Sequence, residues 1–150
     1  MNMLDFEHSL PILLLRAREV CMARFRPILA ENGLTEQQWR VIRALVEDNG
    51  LESTELAERT LILKPSMTGI IDRLERDELV LRKKDKEDGR KTCLWLTRKA
   101  KRLYERIMPL IQTKYNDMQD AFSEKSWNNL YESLFHLIQL NTDNTNKDRR

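Results

Sequence analysis

What most constrains this chain is a change of apolar period between Ser53 and Arg102. Apolar residues first recur at helical spacing in two short runs, then fall into two β-favouring runs around a charged turn, after which helical spacing resumes at Thr97. Ser53 is placed to open the first helix, its hydroxyl accepting a hydrogen bond from an unpaired amide of the first turn, with Leu56 and Ala57 as a small inner face. Leu61-Ile62-Leu63 ends it. The second helix starts around Lys64-Pro65, where proline is tolerated because first-turn amides lack an intrahelical partner, and turns Ile70, Ile71 and Leu74 inward. Leu79–Leu81 and Cys93–Leu96 are the expected strands, and Asp88-Gly89 is the turn signal between them. Helix, turn, helix and hairpin in this order predict a winged helix-turn-helix, which puts one helix into a DNA groove and a basic hairpin beside it.

The residue types on the outer side of that second helix fit the task. Ser66 and Thr68 carry hydroxyls for phosphates or base edges, Gly69 permits close approach, Arg73 reaches a phosphate or a guanine edge, and Lys64 and Pro65 stand at the helix start. An ordinary solvated face has similar composition, and the following segment decides against it. Lys83 to Lys91 makes a charged, exposed tip from which Arg90 and Lys91 point at the sugar-phosphate backbone; an arginine there can enter a narrow minor groove. Asp88 is expected to fix the turn and orient Arg90, or to be a plain turn-forming aspartate. Residues 82–102 hold ten cations against three acids, a local charge of +7 that leaves −5 for the rest of a chain whose net charge is +2. Positive charge clustered beside a helix-turn-helix is a footprint of phosphate binding.

Other classes find little footing. His8 and His136 are isolated, no carboxylate pair or Ser/His/Asp set has motif spacing, and no Gly-rich loop cradles phosphate, so neither enzyme chemistry nor a cofactor is expected. Two distant histidines and two distant cysteines make no metal site, and Cys21 and Cys93 fit reduced thiols better than a disulfide. No apolar run approaches the ~20 residues that cross a bilayer, and Asp5 and Glu7 precede the apolar Leu10–Leu15, unlike a secretion signal. A cytoplasmic location follows.

The ends of the chain argue for a second subunit. Residues 10 to 32 read as a helix with Leu13, Leu14, Ala17, Val20, Cys21, Phe25 and Ile28 in one stripe, a bend at Pro27 and a stop at Asn32-Gly33. Thr35 and Gln38 have the spacing of a capping box ahead of Trp39, Ile42, Leu45 and Val46. Thr97 caps a long helix with Ala100, Leu103, Ile107, Ile111 and Met118 at helical spacing and Pro109 as a kink, and another helix follows from about Ser123. The polar tail from Asn141 is expected to fray, with 142–150 disordered. The expectation is a mainly α fold with a small β-hairpin in a single domain: a winged lobe over about 34–96 and dimerisation helices over about 5–33 and 97–141. Those long helices carry more apolar surface than the lobe can cover, which predicts a two-fold dimer with recognition helices ~34 Å apart, for successive major grooves. Arg24 falls within the apolar stripe, where a charge needs a partner.

Leu34 to Val41, Gly69 to Arg76, Asp88-Gly89-Arg90-Lys91 and Leu96-Thr97 together resemble the MarR family, the multiple antibiotic resistance regulators, over nearly the whole chain. Leu15 to Glu19, Phe25 to Ile28, Thr35 to Arg40 and Leu63 to Ser66 are similar to the branch that controls homoprotocatechuate (4-hydroxyphenylacetate) degradation. The resemblance implies a dimeric repressor on pseudopalindromic double-stranded operator DNA, released when a small aromatic carboxylate binds between dimerisation helices and winged lobe. Arg16 and Arg18 flank the stripe of the first helix, and Arg43 lies four residues after Trp39, so Arg16 or Arg18 with Trp39 and Arg43 is the expected effector pocket. Each arginine has a plain alternative as an ion-pair partner, and Trp39 as core. Two other readings are a regulator answering a drug-like hydrophobe or thiol oxidation, and a winged helix used for protein contact alone. Cys21 among apolar residues and Cys93 in a strand speak against the redox version, and the basic wing against the last.

Overall fold

A computed structural model describes residues 2–145, and of 141–145 only that they are helical. A 3₁₀ turn at Phe6–His8 precedes α1 (Leu10–Glu31), α2 (Glu36–Glu47), β1 (Leu51–Glu52), α3 (Ser53–Thr60), α4 (Lys64–Arg76), β2 (Val80–Lys84), β3 (Thr92–Leu96), α5 (Arg98–Gln119) and α6 (Glu124–Thr145). The chain forms two compact units, Met1–Ile111 and Gln112–Arg150, and the division falls within α5. The fold is mainly helical with a small sheet, as the periodicity predicts. Helix continues without a break through Pro27 and Pro109. The tail expected to fray lies outside the described residues beyond Thr145, while α6 itself runs on past Asn141.

Local chemistry sets most boundaries. The Thr35 hydroxyl accepts from the Gln38 amide at 3.1 Å and the Gln38 side chain accepts from the Thr35 amide at 2.9 Å, so the capping box forms as read. Thr97 caps α5 by accepting from the Ala100 amide at 3.1 Å, and its own hydroxyl donates to the Glu78 carbonyl at 2.7 Å, tying α5 to the end of α4. Helix α3 differs by one residue from expectation: Glu52 is the N-cap, in a reciprocal box with Glu55, and Ser53 is already in the first turn.

The sheet has three strands in the order β1-β3-β2, all antiparallel, with Val80 opposite Leu96 and Arg82 opposite Leu94. The third strand, β1, was not expected; Leu51 and Glu52 pair with Leu94 and Cys93, and the Gly50 amide donates to the Leu94 carbonyl at 3.0 Å. Gly50 has φ +92°, and a Cβ there would fall 2.6 Å from the Trp95 ring, so only glycine lets the indole lie on this backbone. The core of the winged lobe is Val41, Ile42 and Leu45 of α2, Leu56 of α3, Met67, Ile71 and Leu74 of α4, and Val80 and Leu94 of the hairpin, all essentially solvent-free. Each such side chain contributes ~1.5–3 kcal/mol of transfer free energy, which holds α4 at a fixed angle on α2 and the hairpin.

Outside this lobe the apolar stripes are only partly covered. In α1 just Phe25, Ile28 and Leu29 are buried; Leu13 and Val20 of the expected stripe are exposed, as is Val46 at the end of α2. In α5, Ala100, Leu103, Ile107, Ile111 and Met118 are buried, whereas Leu130, Tyr131, Phe135 and Ile138 of α6 are exposed. Arg24 is solvent-exposed and its guanidinium donates to the Val20 carbonyl at 3.0 Å, which gives it a partner one turn back.

Candidate nucleic-acid interface

Helix α4 begins at Leu63, an N-cap in extended conformation with no side-chain cap, and Pro65 stands in its first turn. Met67, Ile70, Ile71 and Leu74 are buried, and that fixes the opposite face: Lys64, Pro65, Ser66, Thr68 and Arg73 are exposed, with Gly69 half-buried among them. The Arg73 guanidinium folds back along the helix over Gly69, 3.7 Å from where a Cβ would sit, an ordinary van der Waals distance. Hydroxyls, a bare backbone and two cations thus share one surface, able to donate to phosphates and base edges.

The hairpin tip is built around Asp88. Its carboxylate accepts from the Arg90 amide at 3.1 Å and from Arg90 Nε at 3.4 Å, and its carbonyl accepts from the Lys91 amide at 3.0 Å. Arg90 is held at its root and free at its end, with the side chain 94% exposed. Lys91 turns the other way, its ammonium 3.1 Å from Glu52 of β1, and that partner raises its pKa above the ordinary lysine range. A further tie was not legible in the sequence: Arg82 of β2 binds Asp72 of α4 and approaches Glu75 at 3.7 Å, so the wing is fastened to the second helix of the helix-turn-helix.

On another side of the lobe, Arg18, Arg40, Arg43, Ala44, Glu47, Arg59, Thr60 and Leu61 line a depression of about 380 Å³. Of the four residues expected in an effector pocket, Arg18 and Arg43 come together here. Arg43 has no ion pair or hydrogen bond among the described residues, whereas Arg18 is bound to Glu36 and Arg16 lies 3.8 Å from Glu7. Trp39 does not line this depression; it is buried and stacked on Tyr104, with ring centroids 5.6 Å apart. Arg40, not singled out in the sequence, reaches across from α2 to the Thr60 carbonyl at 2.8 Å, leaving its buried Nε without a partner. Burial, and secondarily the charge of Arg18, lowers its pKa. Leu61, next to Thr60, is in the left-handed region at φ 54° and ends α3 immediately before α4.

A family model described as MarR matches residues 34–92, the winged lobe just described. The homoprotocatechuate degradative operon repressor of Escherichia coli is 43% identical over 132 residues, covering 88% of this chain and 89% of that protein. The chain belongs to the MarR family. Among solved structures, the transcriptional regulator PA4135 superposes with a TM-score of 0.82 at 43% identity, covering 87% of this chain and 96% of that one. NadR in complex with 4-hydroxyphenylacetate gives 0.77 at 38% identity, with coverage of 91% and 97%. As a MarR-family member the protein is a DNA-binding regulator of transcription and not an enzyme. No described helix is long and apolar enough to cross a membrane.

Proposed function

We propose that this MarR-family protein is a dimeric repressor of an aromatic-acid catabolic operon, released from a pseudopalindromic operator by a small phenolic acid such as 4-hydroxyphenylacetate or homoprotocatechuate. In this reading Lys64, Pro65, Ser66, Thr68, Gly69 and Arg73 of α4 meet the major groove. Arg90 reaches the backbone or minor groove from a turn that Asp88 orients, while Lys91, engaged by Glu52, keeps the wing in place. A second copy covers the exposed apolar faces of α1 and α6, and a cytoplasmic location goes with the role.

The observation that carries the effector part is Arg43, a cation without a partner among the described residues, on a depression shared with Arg18 and Arg40. An aromatic carboxylate suits such a site, since charge-assisted bonds to guanidinium are the strong ones. Arg16, at Glu7, would join only if that ion pair opened, and Trp39, buried and stacked on Tyr104, only if its ring left that partner. The relatives point the same way: one is named for homoprotocatechuate degradation and one is solved with 4-hydroxyphenylacetate.

The depression also lies where a guest can act on DNA binding. Thr60 and Leu61 line it, and they form the turn that delivers the chain into α4. A carboxylate that draws Arg40 from the Thr60 carbonyl loosens this turn and changes the setting of the recognition helix. Unequal affinity for the two arrangements by ~1–3 kcal/mol weakens operator binding roughly 5–150-fold. The test is titration of 4-hydroxyphenylacetate, homoprotocatechuate and related aromatic acids against operator affinity at fixed salt; an affinity that does not move with any of them rejects the reading.

A further inference from the structure

Leu63 is in a place that the fold alone does not account for. Helices α2, α5 and α6 start on Thr35, Thr97 and Ser123, each of which accepts a first-turn amide through its side chain, whereas α1 and α4 start without such a cap. The residue at the start of α4 is a leucine, which cannot cap, and its side chain is 77% exposed. An apolar group therefore stands in water with nothing in the described chain over it. Leu61, a nearby exposed leucine, lines the arginine-edged depression, and Leu63 does not.

Its surroundings say what could cover it. Leu63 directly precedes Lys64, Pro65 and Ser66 and so sits at the leading end of the DNA-facing helix, continuous with the exposed hydroxyl and cation surface. The leading residues of such a helix enter the major groove, and the base edges there display one apolar group, the C5 methyl of thymine. We propose that Leu63 is a specificity residue that packs on a thymine methyl in each operator half-site, reading an A·T pair by apolar contact. The inference rests on the placement of α4 in the major groove given above. Loss of the methyl should cost the amount that goes with one methyl group withdrawn from water, about fourfold in affinity, equivalent to ~0.8 kcal/mol.

The experiment begins with selection of an operator from random duplex DNA by the full-length protein. Each thymine is then replaced singly by deoxyuridine, which removes only the methyl, and binding is measured at fixed salt for the wild type, Leu63→Ala and Leu63→Ser. The expected result is one thymine per half-site whose demethylation weakens the wild type about fourfold and leaves both variants unaffected. Both variants should melt close to the wild type, because Leu63 buries little of its surface, so the lost discrimination is not lost folding. Demethylation losses that persist undiminished in Leu63→Ala, or no thymine whose methyl matters, overturn the proposal. Failure of the underlying reading looks different: Ser66→Ala and Arg73→Ala would then also leave the preference for the selected operator over random DNA unchanged.

Discussion

Three helices of this fold end in the same way, and only one of them does so on a glycine. At the end of α1 the Leu34 amide donates to the Leu29 carbonyl at 2.9 Å and the Gly33 amide to Ala30 at 3.0 Å. The same pair of bonds closes α3 through Ile62 and Leu61 (3.1 and 3.3 Å) and α4 through Leu79 and Glu78 (2.8 and 3.0 Å). This motif requires a left-handed residue at its second-last position, and Gly33, Leu61 and Glu78 take it with φ of 73°, 54° and 60°. For a residue with a Cβ that conformation costs ~1–2 kcal/mol, while glycine adds back ~0.4–1 kcal/mol of unfolded-state entropy. Glu78→Gly should therefore stabilise the protein by ~0.5–1 kcal/mol. Little is lost with the side chain: the carboxylate is 84% exposed and 3.9 Å from Lys99, which keeps its 2.8 Å bond to the Asp77 carbonyl. The Glu78 carbonyl that receives the Thr97 hydroxyl is backbone and survives the change. The assay is thermal unfolding at one fixed protein concentration, because the midpoint of an associating protein moves with concentration. A rise of ~1–4 °C is expected for a chain of this size, with a fall for Gly33→Ala as the opposite control. A midpoint for Glu78→Gly at or below that of the wild type would refute the assignment of strain to this position.

Other perturbations follow from the same geometry. Arg90→Ala should weaken binding to operator and random DNA alike and reduce the log–log salt slope by ~0.9, since it removes one phosphate contact; equal slopes for variant and wild type in a salt titration would contradict this. Gly50→Ala combines a φ of +92° with a Cβ 2.6 Å from the Trp95 ring, so it should cost at least ~2 kcal/mol in urea unfolding and displace the indole, which tryptophan emission would report. The Cys93 thiol has its pKa raised by burial first, then by Asp85, Glu52 and Glu55. A raised pKa leaves less thiolate at any given pH, so in a Cys21→Ser background iodoacetamide should modify Cys93 more slowly than free cysteine at pH 8, and accelerate only above the ordinary thiol range; a rate equal to that of free cysteine would be the contrary result.

What could be read from the sequence was what the chain decides locally. The Thr35–Gln38 capping box, the Asn32-Gly33 stop and the Asp88 turn each depend on residues five or fewer apart, and local sequence specifies them. The winged helix-turn-helix was legible for the same reason, since its elements differ in period. Strand β1 was not: two residues carry no periodicity, and Leu51 and Glu52 become a strand only because Leu94 and Cys93 come alongside. The Glu52 cap of α3 was displaced onto Ser53 because serine is the commoner cap type and the reciprocal Glu52–Glu55 arrangement shows only once both side chains are placed.

The pocket shows the limit more sharply, and so does the basic wing. Arg16 and Arg18 are equivalent in a sequence, both flanking the stripe of α1; what separates them is that Glu36 of α2 stands beside one and Glu7 beside the other. Arg40 looks like an ordinary helix cation until Thr60, distant in the chain, offers it a carbonyl. By the same logic the ten cations of residues 82–102 are not ten phosphate contacts. Arg82 is spent on Asp72, Lys91 on Glu52, and Lys99 on the Asp77 carbonyl. These three hold the wing and α5 in place, and the phosphate-facing charge falls to those left free at their tips. Arg90 is the clearest of them, because Asp88 fixes its root without covering its guanidinium. The salt dependence of DNA binding per subunit should accordingly fall well below a count of the basic residues, and a slope that matched the full count would mean that these internal pairs open on DNA.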